Sequence, residues 1–136
     1  RQMIYDFFLK RNIEPNTLVS ARAFIDDSAI VGQGTVISHM AVISSCVKIG
    51  FNSLINTSAV LEHGCDIGNN VNVSPGATLC GGVTVGDSCT LGAGCVILPG
   101  ITVGDGVIVG AGAVVTKNIQ GNGIVYVGVP AVRWVK

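Results

Sequence analysis

Stepping by six residues from Val19, every position reached is aliphatic as far as Val115: Val19, Ile25, Val31, Ile37, Ile43, Ile49, Ile55, Leu61 and onward, seventeen in a row without insertion. Four residues after each comes a small or β-branched residue, from Ala23, Ala29, Thr35 and Ala41 through Cys65 to Ile119. A period of six is neither the 3.6 of a helix nor the alternation of an ordinary strand. It is the period of a parallel β-helix in which each unit makes one short strand and one corner. Glycine follows the aliphatic residue at Gly32, Gly50, Gly68, Gly86 and Gly104, a spacing of eighteen. Three units therefore close one coil of a three-sided prism, and residue n stacks on n+18 at about 4.8 Å. The recurring glycine reads as a corner that needs a positive φ. The expected architecture is all-β. Residues 1–18 form an N-terminal helix and lead-in cap with Ile4, Phe7, Phe8 and Leu9 as its apolar side. Residues 19–120 form the β-helix, and 121–136 a C-terminal flap that includes IVYVGVPAV. Each inward aliphatic side chain is worth roughly 1.5–3 kcal/mol on burial, and the contributions sum along the stack.

Charge sharpens this picture. The chain has eight Lys and Arg against eight Asp and Glu in 136 residues, which leaves no basic field for nucleic acid. From Ile67 to Thr116 the only charged side chains are Asp87 and Asp105. So neutral a stretch predicts surface buried against another chain. A membrane span is excluded, because Gly, Asn and Pro break every uncharged run short of ~20 apolar residues. No signal peptide precedes the first helix. The five cysteines (Cys46, Cys65, Cys80, Cys89 and Cys95) are odd in number and include no CxxC pair. They read as buried thiols in a reducing, cytoplasmic setting rather than disulfides or a zinc site.

The hexapeptide array, the segment INTSAVLEHGCDIGNNVNVSPGA and the tail YVGVPAVR together resemble the hexapeptide acyltransferases. They are most like the sugar acetyltransferases of sialic-acid and bacillosamine biosynthesis. The resemblance covers nearly the whole chain and implies a left-handed parallel β-helix, a homotrimer, and acetyl-CoA as donor without a metal. It also implies a sugar or sugar-nucleotide acceptor. The N-terminal nucleotide-sugar domain of those relatives has no counterpart in this chain.

His63 stands at the third position of its hexapeptide, where side chains leave the prism at a corner. Within Glu62-His63-Gly64-Cys65 it matches the family's catalytic histidine. Acyl transfer from a thioester needs a base for the proton of the attacking amine or hydroxyl. Imidazole suits that role near neutral pH and contributes typically ~10²–10⁴-fold. A backbone N–H would stabilise the oxyanion. Gly81, one coil beyond His63, reads as space for the acyl group. Two positions depart from the family pattern. Gly64 stands where relatives carry an acidic residue that orients the ring, a role left to Glu62 or Asp66. Asn72 stands where relatives carry a second histidine, and could still donate to the acetyl carbonyl. Ala93 and Ala111, eighteen apart, match residues that contact acetyl-CoA. Lys117, Arg133 and Lys136 are the cations left after residue 66 and are assigned to its phosphates. His39, four hexapeptides before His63, falls on another edge and reads as a surface residue.

Other uses of such a fold fare worse. A carbonic anhydrase needs three histidines converging on one metal, and the chain has two. An ice-binding face needs a threonine ladder, and Thr78, Thr84 and Thr90 do not stack at eighteen. A non-catalytic trimeric assembly module is the remaining alternative. Binding of CoA separates it from an enzyme.

Overall fold

The computed structural model describes residues 2–135, apart from the side chains of Gln2 and Ile4. It is a left-handed parallel β-helix preceded by one short helix. Two-residue strands recur every six residues and pair in parallel with the strand eighteen residues on, as in Val36↔Leu54, Val42↔Val60 and Lys48↔Asp66. Three sheets result, one for each face of the prism. In each strand the second residue points inward. Ile37, Ile43, Ile55, Leu61, Leu79, Leu91 and Ile97 are among the fully buried side chains. The small residue four places on (Ala41, Val47, Ala59, Cys65) fills the space beneath each corner and is equally buried. The first residue of each strand points out and gives each face its character. The first face carries Leu18, Val36, Leu54, Asn72, Thr90 and Ile108. The second carries Phe24, Val42, Val60, Thr78, Val96 and Val114. The third carries Ile30, Lys48, Asp66, Thr84 and Thr102. Thr78, Thr84 and Thr90 thus lie on three different faces.

Corners repeat as regularly as strands. A residue of positive φ recurs at every sixth position from Gly34 to Gly112. From Asn52 onward its N–H donates to the corner carbonyl one coil earlier, as in Gly64 N to Ser45 O at 2.9 Å and Gly82 N to His63 O at 2.9 Å. This differs from the sequence expectation. The glycines of the eighteen-residue series, at 32, 50, 68, 86 and 104, are not among the residues of positive φ. They are glycine because of close approach. A Cβ on Gly32 would lie 2.5 Å from the Gly50 carbonyl carbon. On Gly50, Gly68 and Gly86 it would strike Oδ1 of Asn69, Asp87 and Asp105 respectively. Those three side chains form a ladder. Asn69 Oδ1 accepts from Phe51 N at 3.0 Å, Asp87 Oδ1 from Asn69 N at 2.7 Å, and Asp105 Oδ1 from Asp87 N at 2.8 Å. The two carboxylates of the neutral stretch are thus spent on the prism's own backbone.

The two ends are finished differently. Helix α1, Gln2–Leu9, anchors through Tyr5, which is buried and stacks on Phe51 with centroids 5.1 Å apart. Phe7 and Leu9, expected on its apolar side, are exposed, and Ile4 lies outside the described side chains. Val19 in the first coil remains 50% exposed. At the other end the register tightens, with Ile108 opposite Val125 and Val103 opposite Ile119. Strands Val125–Val127 and Val132–Arg133 then form an antiparallel hairpin. Ala131 is buried there and its N–H donates to Val114 O at 2.7 Å.

Burial raises the pKa of Cys65, Cys89 and Cys95, the last to about 11. Those three are the inert thiols expected. Cys80 is half-buried and Cys46 is exposed, contrary to the expectation for all five. No described helix is long and apolar enough to cross a membrane.

Candidate active site

Three edges separate the three faces. The edge between the second and third faces carries Ser45, His63, Gly81, Pro99 and Lys117 in succession. The edge between the first and second carries His39, Thr57, Pro75, Ala93 and Ala111. The Asn69–Asp87–Asp105 ladder occupies the remaining edge.

His63 stands two residues after the strand Val60–Leu61, where the corner throws its side chain outward, and that side chain is 74% exposed. Its Nδ1 lies 3.9 Å from Glu62 Oε2. Glu62, not Asp66, is therefore the carboxylate beside the ring; Asp66 points out from the third face. The space above Gly81 is not left open for an acyl group. A Cβ there would lie 2.5 Å from His63 Cε1 and 2.6 Å from Nε2, so the imidazole itself fills it. Gly64 has φ +68°, and a Cβ there would meet nothing within 4 Å. An acidic residue at this position would thus have room but not a preferred backbone.

Asn72 projects from the first face, beside the Ala93 edge rather than the His63 edge. Its Oδ1 is buried without a hydrogen-bond partner. Such a group costs roughly 1–3 kcal/mol while unmet. Ala93 and Ala111 are exposed on adjacent coils, joined by Gly112 N donating to Ala93 O at 2.9 Å. Their own N–H groups, and those of His63 and Gly81, have no acceptor among the described residues. Lys117 and Arg133 meet at a cavity of about 450 Å³ below the hairpin, with Asn118, Gln120 and Tyr126 also in its wall. Lys136 lies outside the described residues. His39 is exposed on the Ala93 edge. The predicted residues thus fall into two groups on different edges, with His63, Gly81 and Lys117 on one, and Asn72, Ala93 and Ala111 on the other. The described residues contain no cluster of three or more His, Cys, Asp or Glu able to hold a metal ion.

Sequence reasoning missed the Asn–Asp ladder. Its signal was present as Gly-Asn or Gly-Asp recurring at eighteen, in Gly68-Asn69, Gly86-Asp87 and Gly104-Asp105.

Comparison with solved structures finds close matches along nearly the whole chain. The acetyltransferase domain of PglB from Neisseria gonorrhoeae is 32% identical with a TM-score of 0.93 and covers 98% of this chain and 65% of its own. PerB from Caulobacter crescentus, solved with CoA and GDP-perosamine, is 30% identical with a TM-score of 0.96 and covers 98% and 64%. WeeI from Acinetobacter baumannii AYE is 30% identical with a TM-score of 0.94 and covers 98% and 65%. The chain therefore spans just under two thirds of the length of these relatives. A search of curated proteins gave no match. The repeats match "Bacterial transferase hexapeptide (six repeats)" over residues 46–81 and 82–117. Since those two stretches make up more than half of the sequence, the chain belongs to the bacterial transferase hexapeptide family.

Proposed function

We propose that the protein transfers an acetyl group from acetyl-CoA to an amino or hydroxyl group of a sugar or sugar nucleotide, with His63 as general base. The observation that carries this reading is the exposed His63 ring beside Glu62, on the edge whose corner amides are unpartnered. Nδ1 faces the carboxylate, so Nε2 is the nitrogen that takes the proton as the acceptor attacks the thioester carbonyl. The new C–N or C–O bond forms, the C–S bond breaks, and the thiol of CoA leaves. The unpartnered N–H of Gly81 is a donor for the oxyanion that develops in between. Likeness to PerB, whose structure holds CoA and a nucleotide sugar, supports both substrates.

On this reading the donor lies along the other edge. The small side chains of Ala93 and Ala111 let a pantetheine arm approach their free amides. Asn72 donates through Nδ2 to the acetyl carbonyl, while its buried Oδ1 calls for a donor such as a pantetheine N–H. Arg133 and Lys117, the latter at the far end of the His63 edge, take the phosphates at the cavity under the hairpin that both line. Within one prism the two edges are over ~10 Å apart at ~3.3 Å per residue of strand, whereas a base works within ~3 Å. The second face lies between these edges, and its outward row is apolar except for Thr78. A homotrimer that turns this face toward its three-fold axis sets the His63 edge of one subunit beside the Ala93–Ala111 edge of the next.

The test is thiol release from acetyl-CoA in the presence of a panel of amino-sugar nucleotides and sialic acids. Turnover with at least one acceptor is expected. A chain that binds no CoA and releases no thiol is an assembly module instead.

A further inference from the structure

Residue 81 holds the corner position of its hexapeptide. It is the one glycine among the seventeen residues that a six-residue step from Ala21 to Lys117 places there. Backbone conformation does not require it. The residue of positive φ in this corner is Gly82, at +69°, and Gly81 is not among such residues. Stacked backbone does not require it either. A Cβ on Gly32 would meet the main chain of the next coil, but the three atoms nearest a Cβ on Gly81 are all in the His63 ring, Cε1, Nε2 and Nδ1 at 2.5, 2.6 and 3.2 Å. The imidazole lies where an alanine methyl would be. Being 74% exposed, it has little else to hold it beyond Glu62 at 3.9 Å.

We infer that Gly81 is a positioning residue whose missing side chain is the seat that fixes the His63 ring and the direction of Nε2. The inference rests on the reading of His63 as the base. A methyl group in the seat would push the ring aside by about an ångström, and misplacement of that size costs on the order of 10²-fold in rate.

The experiment compares Gly81→Ala and Gly81→Ser with the parent chain, folding being checked by melting temperature and oligomer size. The ordinary φ of residue 81 accepts either side chain. The expected result is kcat lower by about 10–100-fold with KM for acetyl-CoA within about three-fold. The His63 Cε1–H resonance also shifts in the proton–carbon NMR spectrum. In the His63→Ala background, adding Gly81→Ala brings no further loss, because nothing remains to be seated. A Gly81→Ala protein that keeps both its kcat and its His63 resonance overturns the inference. So does a further loss in the His63→Ala background, which would mean that the added methyl group disturbs the bound substrates rather than the ring, the backbone N–H of residue 81 being kept in both variants. The two readings fail separately: near-parent turnover by His63→Ala removes the base, while the resonance still decides whether Gly81 seats the ring.

Discussion

Along the Phe51–Asp105 edge, the corner amides of Phe51, Asn69 and Asp87 are each met by a side-chain oxygen from the next coil, at 2.7–3.0 Å. Along the edges of His63 and of Ala93, the corner amides of His63, Gly81, Ala93 and Ala111 meet nothing among the described residues, and that of Thr57 is met only by Oδ1 of its own neighbour Asn56, at 2.8 Å. The coils repeat, so the difference lies entirely in the side chain at one position per hexapeptide. On the first edge that position is Asn or Asp from residue 69 onward, and the glycine nineteen residues earlier admits its Oδ1. On the other two, from His39 onward, it is His, Ser, Thr, Pro, Gly, Ala or Lys, and none of these side chains caps the amide one coil earlier. One edge uses its polarity on stability. The other two leave donors in the open, where a thioester oxygen or an amide of pantetheine can reach them.

Substitutions can push this contrast from either side. The largest effect is expected on the open edges, where His63→Ala should lower acetyl transfer at least ~10²-fold, the loss of a general base, with an unchanged melting temperature. Turnover close to the parent value would take the base away from His63. Next comes a mixing experiment. His63→Ala subunits combined with subunits carrying Ala93→Trp should recover a fraction of the parent activity in mixed trimers, although neither variant works alone. An active monomer by sedimentation, or no recovery on mixing, would mean that each prism works by itself.

On the capped edge the pattern reverses. Asp87→Ala removes the acceptor for Asn69 N and Nδ2, at 2.7 and 3.2 Å. It should cost roughly 1–2 kcal/mol of stability, read as a fall in melting temperature, with kcat unmoved. A drop in kcat without a drop in stability would make that edge functional too. The smallest effect is expected at Gly64. Asp there has space and an αL position that Asn52, Ser58, Asn70 and Ser88 already occupy elsewhere in the chain. Gly64→Asp should therefore fold with a loss of about 1 kcal/mol and raise kcat by giving the ring a second carboxylate. An unchanged kcat would show that Glu62 alone suffices.

The same contrast marks what could be read from residues alone. The seventeen aliphatic steps state the coil, its three sides and the inward columns, because burial is decided residue by residue. From the sequence, Gly50, Gly68 and Gly86 read as a matter of backbone conformation, which they are not. Their cause is an oxygen nineteen residues away, and nothing local reveals it. Gly81 is similar. Its solitude at the corner position was visible, but only the folded chain puts the ring of His63 upon it. The tightened register after Val103 was likewise hidden, since no hydrophobic step announces it. Which residues share an edge followed from counting by eighteen. That Glu62 rather than Asp66 stands beside the ring did not, because it turns on a side-chain direction.

The unequal ends give the stack a direction of wear. Each coil touches only its neighbours, so opening proceeds from an end rather than through the whole prism at once. The hairpin clamps one end through Ala131, while the first coil at the other leaves Val19 half exposed. Fraying therefore starts at the N-terminal end and runs inward coil by coil. Amide hydrogen exchange should grade in that sense, fastest around Phe24–Ile25 and slowest around Val96–Ile97. His63 sits more than two coils in from the open end, so the corner that holds it stays wound while the first turn unwinds.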